Sequence, residues 1–422
     1  MQLFSTLDPP IRRNLWVLLA SSLLFWAGIG SLLPTLSLYV QAIGGNDQEI
    51  GVVTGAFAIG LLGSRAWLGR LADQRSRKLV LLIGFSVATI APLGYLSVQS
   101  IPGLIVIRIF HGICIAAFAT AYLALVADLS PPRNRGELIG YMTLGNPIGT
   151  AIGPALGGFI QQSWGNTPLF AMAAGFSALG LIFATQVQSP ALPIEPNPLA
   201  YESSWQLITG PRLRVPTLVF LLIGLAFGTL ATFVPLFIKS TSVELNPGLF
   251  YTAAALGGFG VRLVIGRASD RFGRGLPITV SLILYTLAMF LIWSAHSPFH
   301  FLCAGLIEGS AAGILIPTIA ALIADRARPQ ERGRLFGLCL IGFDLGIAIS
   351  GPLLGSIGTP LGLDYRTMFA IAAGLSFLSF LTFITQSSKT LSDSIQFAFG
   401  QGKDAYAIAI EGELYHSLKK TS

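Results

Sequence analysis

Residues 69–78 read GRLADQRSRK and residues 266–274 read GRASDRFGR. Each stretch lies between two long apolar runs, and the two stand 197 positions apart. At that offset Gly60, Gly63, Arg65, Gly69, Arg70 and Asp73 recur as Gly257, Gly260, Arg262, Gly266, Arg267 and Asp270. Further along, Asp128, Pro132, Arg135, Gly136 and Gly140 recur as Asp325, Pro329, Arg332, Gly333 and Gly337. Eleven identities of these residue types in register mark an internal duplication. Pro34 and Pro235, ending similar runs, match at a slightly larger offset.

The surrounding chain sets the class. Of 422 residues, 53% are hydrophobic and 11% charged, against roughly 25% charged in a soluble domain. So few charges could not keep soluble domains of this size apart in water, which leaves an all-α membrane protein. Apolar runs give spans near 14–40, 50–71, 79–98, 101–127, 136–160 and 166–188, then 213–239, 248–269, 276–296, 298–324, 334–357 and 365–386. Twelve spans of about 21 residues fit the length with short connections. The implied organisation is a six-helix half over 1–188, a linker over 189–212, a second half over 213–386 and a tail over 387–422. The linker contains the Pro-rich SPALPIEPNP, which cannot continue a helix. The tail, polar and mixed in charge, is expected to be disordered or a short surface helix.

With the N-terminus in the cytoplasm, 21 of the 26 basic residues fall on the inside, Lys239 and Arg366 fall outside, and Arg65, Arg108 and Arg262 lie within spans. That bias predicts both termini cytoplasmic in an inner (cell) membrane. The net charge of +7 therefore reads as loop charge, with no nucleic-acid partner, since no folded basic face carries it. The run from Leu15 to Val40 is too long for a signal peptide and lacks a cleavage site, so it reads as a retained first span. Cys114, Cys303 and Cys339 sit inside apolar runs and form neither a disulfide framework nor a metal site.

The loop 69–78 resembles the G-x-L-x-D-R-x-G-R-[RK] loop of the major facilitator superfamily, with Gln74 and Ser76 departing from the usual Arg and Gly, and residues 266–274 match it more closely. The resemblance runs from span 1 to span 12. It implies two pseudo-symmetric six-helix halves with a pathway between them, lined by spans 1, 4, 7 and 10. Gly69 and Gly266 would let a neighbouring helix approach closely. Asp73 would meet the N-terminus of span 11, where free N–H groups favour an anion, while Arg77 reaches Asp128. Asp270, facing span 5, with Arg274 and Asp325, would be the second set. Such contacts would weight the state closed toward the cytoplasm.

Arg108-Ile109-Phe110-His111-Gly112 in span 4 resembles the R-x-x-Q-G element of proton-coupled members. An intramembrane arginine is expensive unless it has a partner or cavity, and His111, three residues on, shares its face. Span 5 carries Gly149, Gly153, Pro154, Gly157 and Gly158, resembling the G-x-x-x-G-P-x-x-G-G element associated with antiporters. Small residues four apart make a flat face and Pro154 a bend, which would help spans 5 and 8 seal the outer side. Of nineteen acids, Glu308 in span 10 and Asp344 in span 11 lie far from any loop, and each is a functional candidate on that ground. Glu308 is the repeat counterpart of His111, so the two are expected to face each other across the cavity. Span 1 holds no acid, which excludes a carrier there.

These features point to a proton-coupled exporter of small organic molecules working by alternating access, with Glu308, Asp344 or both exchanging protons. A metabolite or sugar symporter or uniporter is the alternative, and a non-transporting assembly factor a third class. No P-loop, nucleophile elbow or metal-ligand cluster appears, so no enzyme, cofactor or metal is expected. The partners are substrate, protons and lipid, with the protein a monomer.

Overall fold

The computed structural model describes residues 7–131, 134–188, 204–328, 331–361 and 364–408, with the side chains of 204, 263, 264, 266–271 and 358–361 outside that description. Twelve long helical spans appear among the described residues. In the first half they are span 1 (Pro9–Ser31, resumed as Leu36–Ala42), span 2 (Asp47–Gln74), span 3 (Arg77–Ser97), span 4 (Ile101–Leu129), span 5 (Arg135–Met142 and Gly145–Trp164) and span 6 (Asn166–Thr185). The second half holds span 7 (Arg214–Ser240), span 8 (Pro247–Phe272), span 9 (Gly275–Trp293), span 10 (Pro298–Asp325), span 11 (Arg332–Leu361) and span 12 (Tyr365–Gln386). Ten of these are long and apolar enough to cross a membrane.

Local chemistry sets the starts. Asn46 and Glu49 form a reciprocal capping box at span 2, each bond 2.9 Å. Ser76 accepts from Leu79 N–H at span 3 (3.2 Å) and Asn246 from Gly248 N–H at span 8 (2.9 Å). Such caps satisfy N–H groups that have no partner within the helix. At span 12, Asp364 accepts from both Thr367 N–H (2.9 Å) and its hydroxyl (2.6 Å), and these bonds hold the Asp364 carboxyl below the usual range.

Proline acts differently in the two halves. Span 1 breaks over residues 32–35 at Pro34, whereas Pro235 sits inside an unbroken span 7. Span 5, read as one run, is two helices parted at Thr143 and Leu144.

The halves pack by one pattern. Span 1 lies against 5 and 6, span 2 against 4, and span 3 against 4 and 6. Likewise span 7 lies against 11 and 12, span 8 against 10, and span 9 against 10 and 12. The repeat is visible down to atoms. A Cβ on Gly60 would overlap the Ile109 carbonyl and one on Gly112 that of Phe57. In the second half, 197 residues later, Gly257 meets the Leu306 carbonyl and Gly309 that of Ala254. Lipid offers no hydrophobic drive for helix association, so close backbone approach at small residues supplies the contact.

Side chains such as Ile59, Ile90, Val106, Ile283 and Leu378 remain exposed around the bundle, as suits a surface bathed in acyl chains. The described part of the tail contains a helix over Leu391–Ala398.

The glycine contacts make a paired test. Gly153 has the Ala27 carbonyl where a Cβ would sit, whereas Gly63 has nothing within 4 Å. Gly153→Ala should lower the thermal midpoint of the solubilised protein, with a cost of about 1–3 kcal/mol from overpacking. Gly63→Ala should hold or raise it, since alanine is up to about 1 kcal/mol better in a helix. Equal midpoints for the two variants would count against backbone approach as the packing device.

Candidate functional site

The halves meet toward the end of the bundle opposite the basic loops. Gly51 in span 2 stacks on Gly351 in span 11, Gly55 on Ala348 and Pro352, and Gly355 on Asp47. Tyr365 donates to Asp47 (2.8 Å). Between spans 5 and 8, the Thr252 hydroxyl donates to the Ala151 carbonyl (2.8 Å) and Asn246 Nδ2 to Gln162 (3.0 Å). Above this seal lie two shallow hollows of about 690 and 460 Å³, the larger lined by Leu38, Gln161, Lys239 and Asn246 and the smaller by Asp47, Ser240 and Arg366.

At the basic end the 69–78 loop makes no such contact with the described residues of the other half. Asp73 is exposed and makes no hydrogen bond or ion pair with a described residue, and around Gly69 nothing lies within 4 Å of a Cβ position. The expected approach of span 11 to this loop is therefore not made in this structure. The contacts inside each half are made. Arg77 pairs with Asp128 and donates to the Ala124 carbonyl (2.9 Å), and Arg274 Nε donates to Asp325 Oδ2 at 2.9 Å. Each arginine ties its loop to the end of span 4 or span 10 in its own half, so neither pair depends on closure. Gly266 and Asp270 lie outside the described side chains.

Span 4 corrects the pairing drawn across the cavity. His111, 1% exposed, is enclosed within the first half. The Tyr95 hydroxyl of span 3 approaches its Nδ1 at 3.0 Å and Arg108 Nη1 at 3.5 Å. Arginine only donates, so Nδ1 accepts and the ring proton sits on Nε2, which has no partner among the described residues. Arg108 lies 4.3 Å over the Phe57 ring of span 2, a cation–π contact that keeps it inside the half. Glu308 is likewise enclosed, 3% exposed, within electrostatic range of Tyr251 and Tyr285 in spans 8 and 9. Its Oε1 has no hydrogen-bond partner among the described residues. His111 and Glu308 thus do not face each other. Each sits behind the glycine contact of its own half, because Gly112 and Gly309, one residue on, press that face of the helix against span 2 or span 8.

The span 5 stripe also turns inward. Gly145, Gly149, Gly153 and Gly157 all meet the backbone or side chains of span 1, at Ser22, Leu23, Ala27 and Ser31. Of the stripe, Pro154 and Gly158 reach the start of span 8, at Gly248 and the capping Asn246. Span 11 mirrors this arrangement, with Gly342 and Gly346 on span 7 and Gly351 and Gly355 on span 2.

Asp344 alone among the deep acids joins the halves. Its Oδ2 stands 2.8 Å from Arg65 Nη1 of span 2, off the line of a hydrogen bond, so the contact is a charge pair. The carboxylate is 10% and the guanidinium 26% exposed. Asp344 lies four residues from Ala348, the basic-end edge of the seal, about 6 Å at 1.5 Å per residue. Arg65 reaches up to it from a deeper turn of span 2, since helical side chains lean toward their N-terminus. In the sequence Arg65 reads as a snorkelling arginine near the end of its span, and the intramembrane charge was the signal for its pairing.

A sequence profile described as Major Facilitator Superfamily matches residues 18–261 and 244–401. The chain belongs to the major facilitator superfamily. It is 28% identical over 405 residues to "Multidrug resistance protein MdtG" of Dickeya zeae, spanning 90% of this chain and 97% of that one. A protein of the same name from Klebsiella pneumoniae is 26% identical over 391 residues, covering 88% and 93%. Among solved structures, the nucleoside transporter NupG superposes with a TM-score of 0.71 at 18% identity, covering 88% of this chain and 98% of that one. A bacterial homolog of the human lysosomal transporter Spinster gives 0.67 at 15%, covering 93% and 97%. This superfamily member is thus a multi-pass membrane transporter of small molecules, built on the two-half fold.

A thermal double-mutant cycle tests the charge pair. Arg65→Gln and Asp344→Asn should each destabilise, the double variant should recover part of the loss, and the coupling should fall within about 0.5–3 kcal/mol. Additive effects would mean that the two groups do not interact.

Proposed function

We propose that the protein exports small organic molecules, including structurally varied toxic compounds, in exchange for protons, and that its basic end faces the cytoplasm of a cell with the protein in its inner membrane. The observation that carries the exporter reading is the likeness over nearly the whole chain to proteins named multidrug resistance protein. The orientation rests on the 21 of 26 basic residues that the order of spans along the sequence assigns to one side. In that frame the structure is open inward and sealed outward.

Transport is a rocking of two rigid halves. Opening outward must part Gly51 from Gly351 and Gly158 from Asn246, and release the Thr252 and Tyr365 bonds. Closing inward carries the start of span 11 toward Asp73. Asp344 is the coupling acid in this reading. With its proton on, it has no charge to hold Arg65, so the tie between spans 2 and 11 is lost. With its proton off, the pair re-forms and favours the inward-open arrangement, as any interaction confined to one state shifts a population toward it. Glu308, walled inside its half, is the second titratable site. Arg108 and His111 hold span 4 to spans 2 and 3, and the protein works as a monomer with no cofactor.

Everted membrane vesicles test this. An inside-acid gradient should drive a fluorescent lipophilic dye inward, and collapsing the gradient should release it. Asp344→Asn should abolish gradient-driven uptake, while Glu308→Gln should reduce it less. Full activity in both variants would overturn the coupling assignment, and dye movement indifferent to the gradient would favour a uniporter.

A further inference from the structure

We propose that the helix Leu391–Ala398 lies in the headgroup layer of the leaflet at the basic end, and that the occupant of its open face is anionic lipid. The helix has three distinct arcs. Ser394, Phe397 and Ala398 are buried, turned toward spans 9 and 12. Leu391, Ile395 and Phe399, 57%, 41% and 47% exposed, fall within one arc of about 80° at 3.6 residues per turn. Ser392, Asp393 and Gln396 occupy the next. Protein, apolar and polar arcs therefore follow one another around the helix, the order required of a helix lying flat beside a bundle with water on its far side.

Its depth is set by what it touches. The Thr279 hydroxyl of span 9 donates to the Ala398 carbonyl (2.8 Å), and a Cβ on Gly275, the first residue of span 9, would overlap the Phe397 carbonyl. Phe383, near the end of span 12, packs its ring on Phe397. Those positions are the basic-end termini of two spans, where hydrocarbon gives way to headgroups. The open arc also continues a lipid-facing surface, since Val280 and Ile283 of span 9 and Leu378 and Leu381 of span 12 are exposed nearby. Lys389 and Lys403 flank the helix and are exposed, which supplies the charge that anionic headgroups complement.

The anchored segment then reaches the basic-end terminus of span 10. Arg326, 1% exposed, donates twice to Asp404 (2.7 and 2.8 Å) and to the Arg212 carbonyl (2.9 Å). Ile408 N–H donates to the carbonyl of Asp325 (3.0 Å), the residue paired with Arg274. Lipid contact at the helix is thereby tied to the cytoplasmic rim of span 10.

Spin labels on the full-length protein in lipid nanodiscs test the placement, with Cys303→Ser removing the partly exposed native thiol and Cys114 and Cys339 buried. In discs containing phosphatidylglycerol, an Ile395→Cys label should be relaxed more by oxygen than by a water-soluble nickel chelate, and a Gln396→Cys label the reverse. Changing the lipid to phosphatidylcholine should shift the Ile395 label toward water, and Lys389→Gln with Lys403→Gln should remove that lipid dependence. Equal accessibility at the two positions overturns the placement, as does spin–spin broadening between two copies at Ile395, which would mean that a second chain covers the face. The same accessibility in both lipids overturns the anionic assignment.

Discussion

Backbone pressed on backbone at glycine is the contact on which both halves depend. Inside a bilayer, burying one leucine against another gains little over burying it in lipid. Contact area between helices must then come from removing side chains altogether. Gly60 and Gly112 do this between spans 2 and 4, and Gly257 and Gly309 do it between spans 8 and 10 with the same partner positions. Four consecutive turns of span 5 do it against span 1. The 48 glycines of the chain, which would be a liability in soluble helices, are here the means of assembly.

The same device serves two different interfaces, and polar side chains mark the difference. Within a half, the glycine contacts are flanked by aromatic packing such as the Phe25 and Phe118 rings stacked at 4.1 Å. Between the halves, they are flanked by single hydrogen bonds from Thr252, Asn246 and Tyr365. A bond of that kind has a net worth of about 0.5–1.5 kcal/mol, because water can replace the partner once the seal opens. An apolar interface would have no such replacement. The proposed rocking needs the interface between halves to separate, and bonds that water can replace suit it to that better than the apolar interior of either half.

The repeat at 197 residues carried the architecture into view from sequence, since register in residues such as Asp128 and Asp325 survives where apolar residues interchange freely. Rotation of a helix about its axis was not legible in the same way. Apart from Arg108 and His111, the body of span 4 is hydrophobic on every side, so no broader amphipathic face tells which side looks at the gap, and His111 was turned the wrong way with it. The glycine neighbour of His111 held the missing information, because a backbone that must touch span 2 fixes the rotation. Pro34 and Pro235 were equivalent as letters, yet only the first breaks its span. Arg65 was visible as a charge in span 2, but its partner lies 279 positions away on a helix of the other half, a pairing that no local pattern encodes.

Placement of charge then separates what is fixed from what moves. Among ion pairs between described residues, Arg77 with Asp128, Arg274 with Asp325 and Arg326 with Asp404 each stay within one half. They brace the loops and the tail at the basic rim, and the proposed rocking need not disturb them. Arg65 with Asp344 crosses between halves, at the edge where the seal gives way to the open side. Removing one partner of a desolvated pair leaves the other uncompensated, which costs more than the pair itself contributes. In the proposed coupling, a proton arriving at Asp344 would do that without mutation: it would discharge the carboxylate and leave Arg65 with no counter-ion between the two halves. The geometry that makes the pair a modest source of stability makes it a sensitive place to deliver a proton.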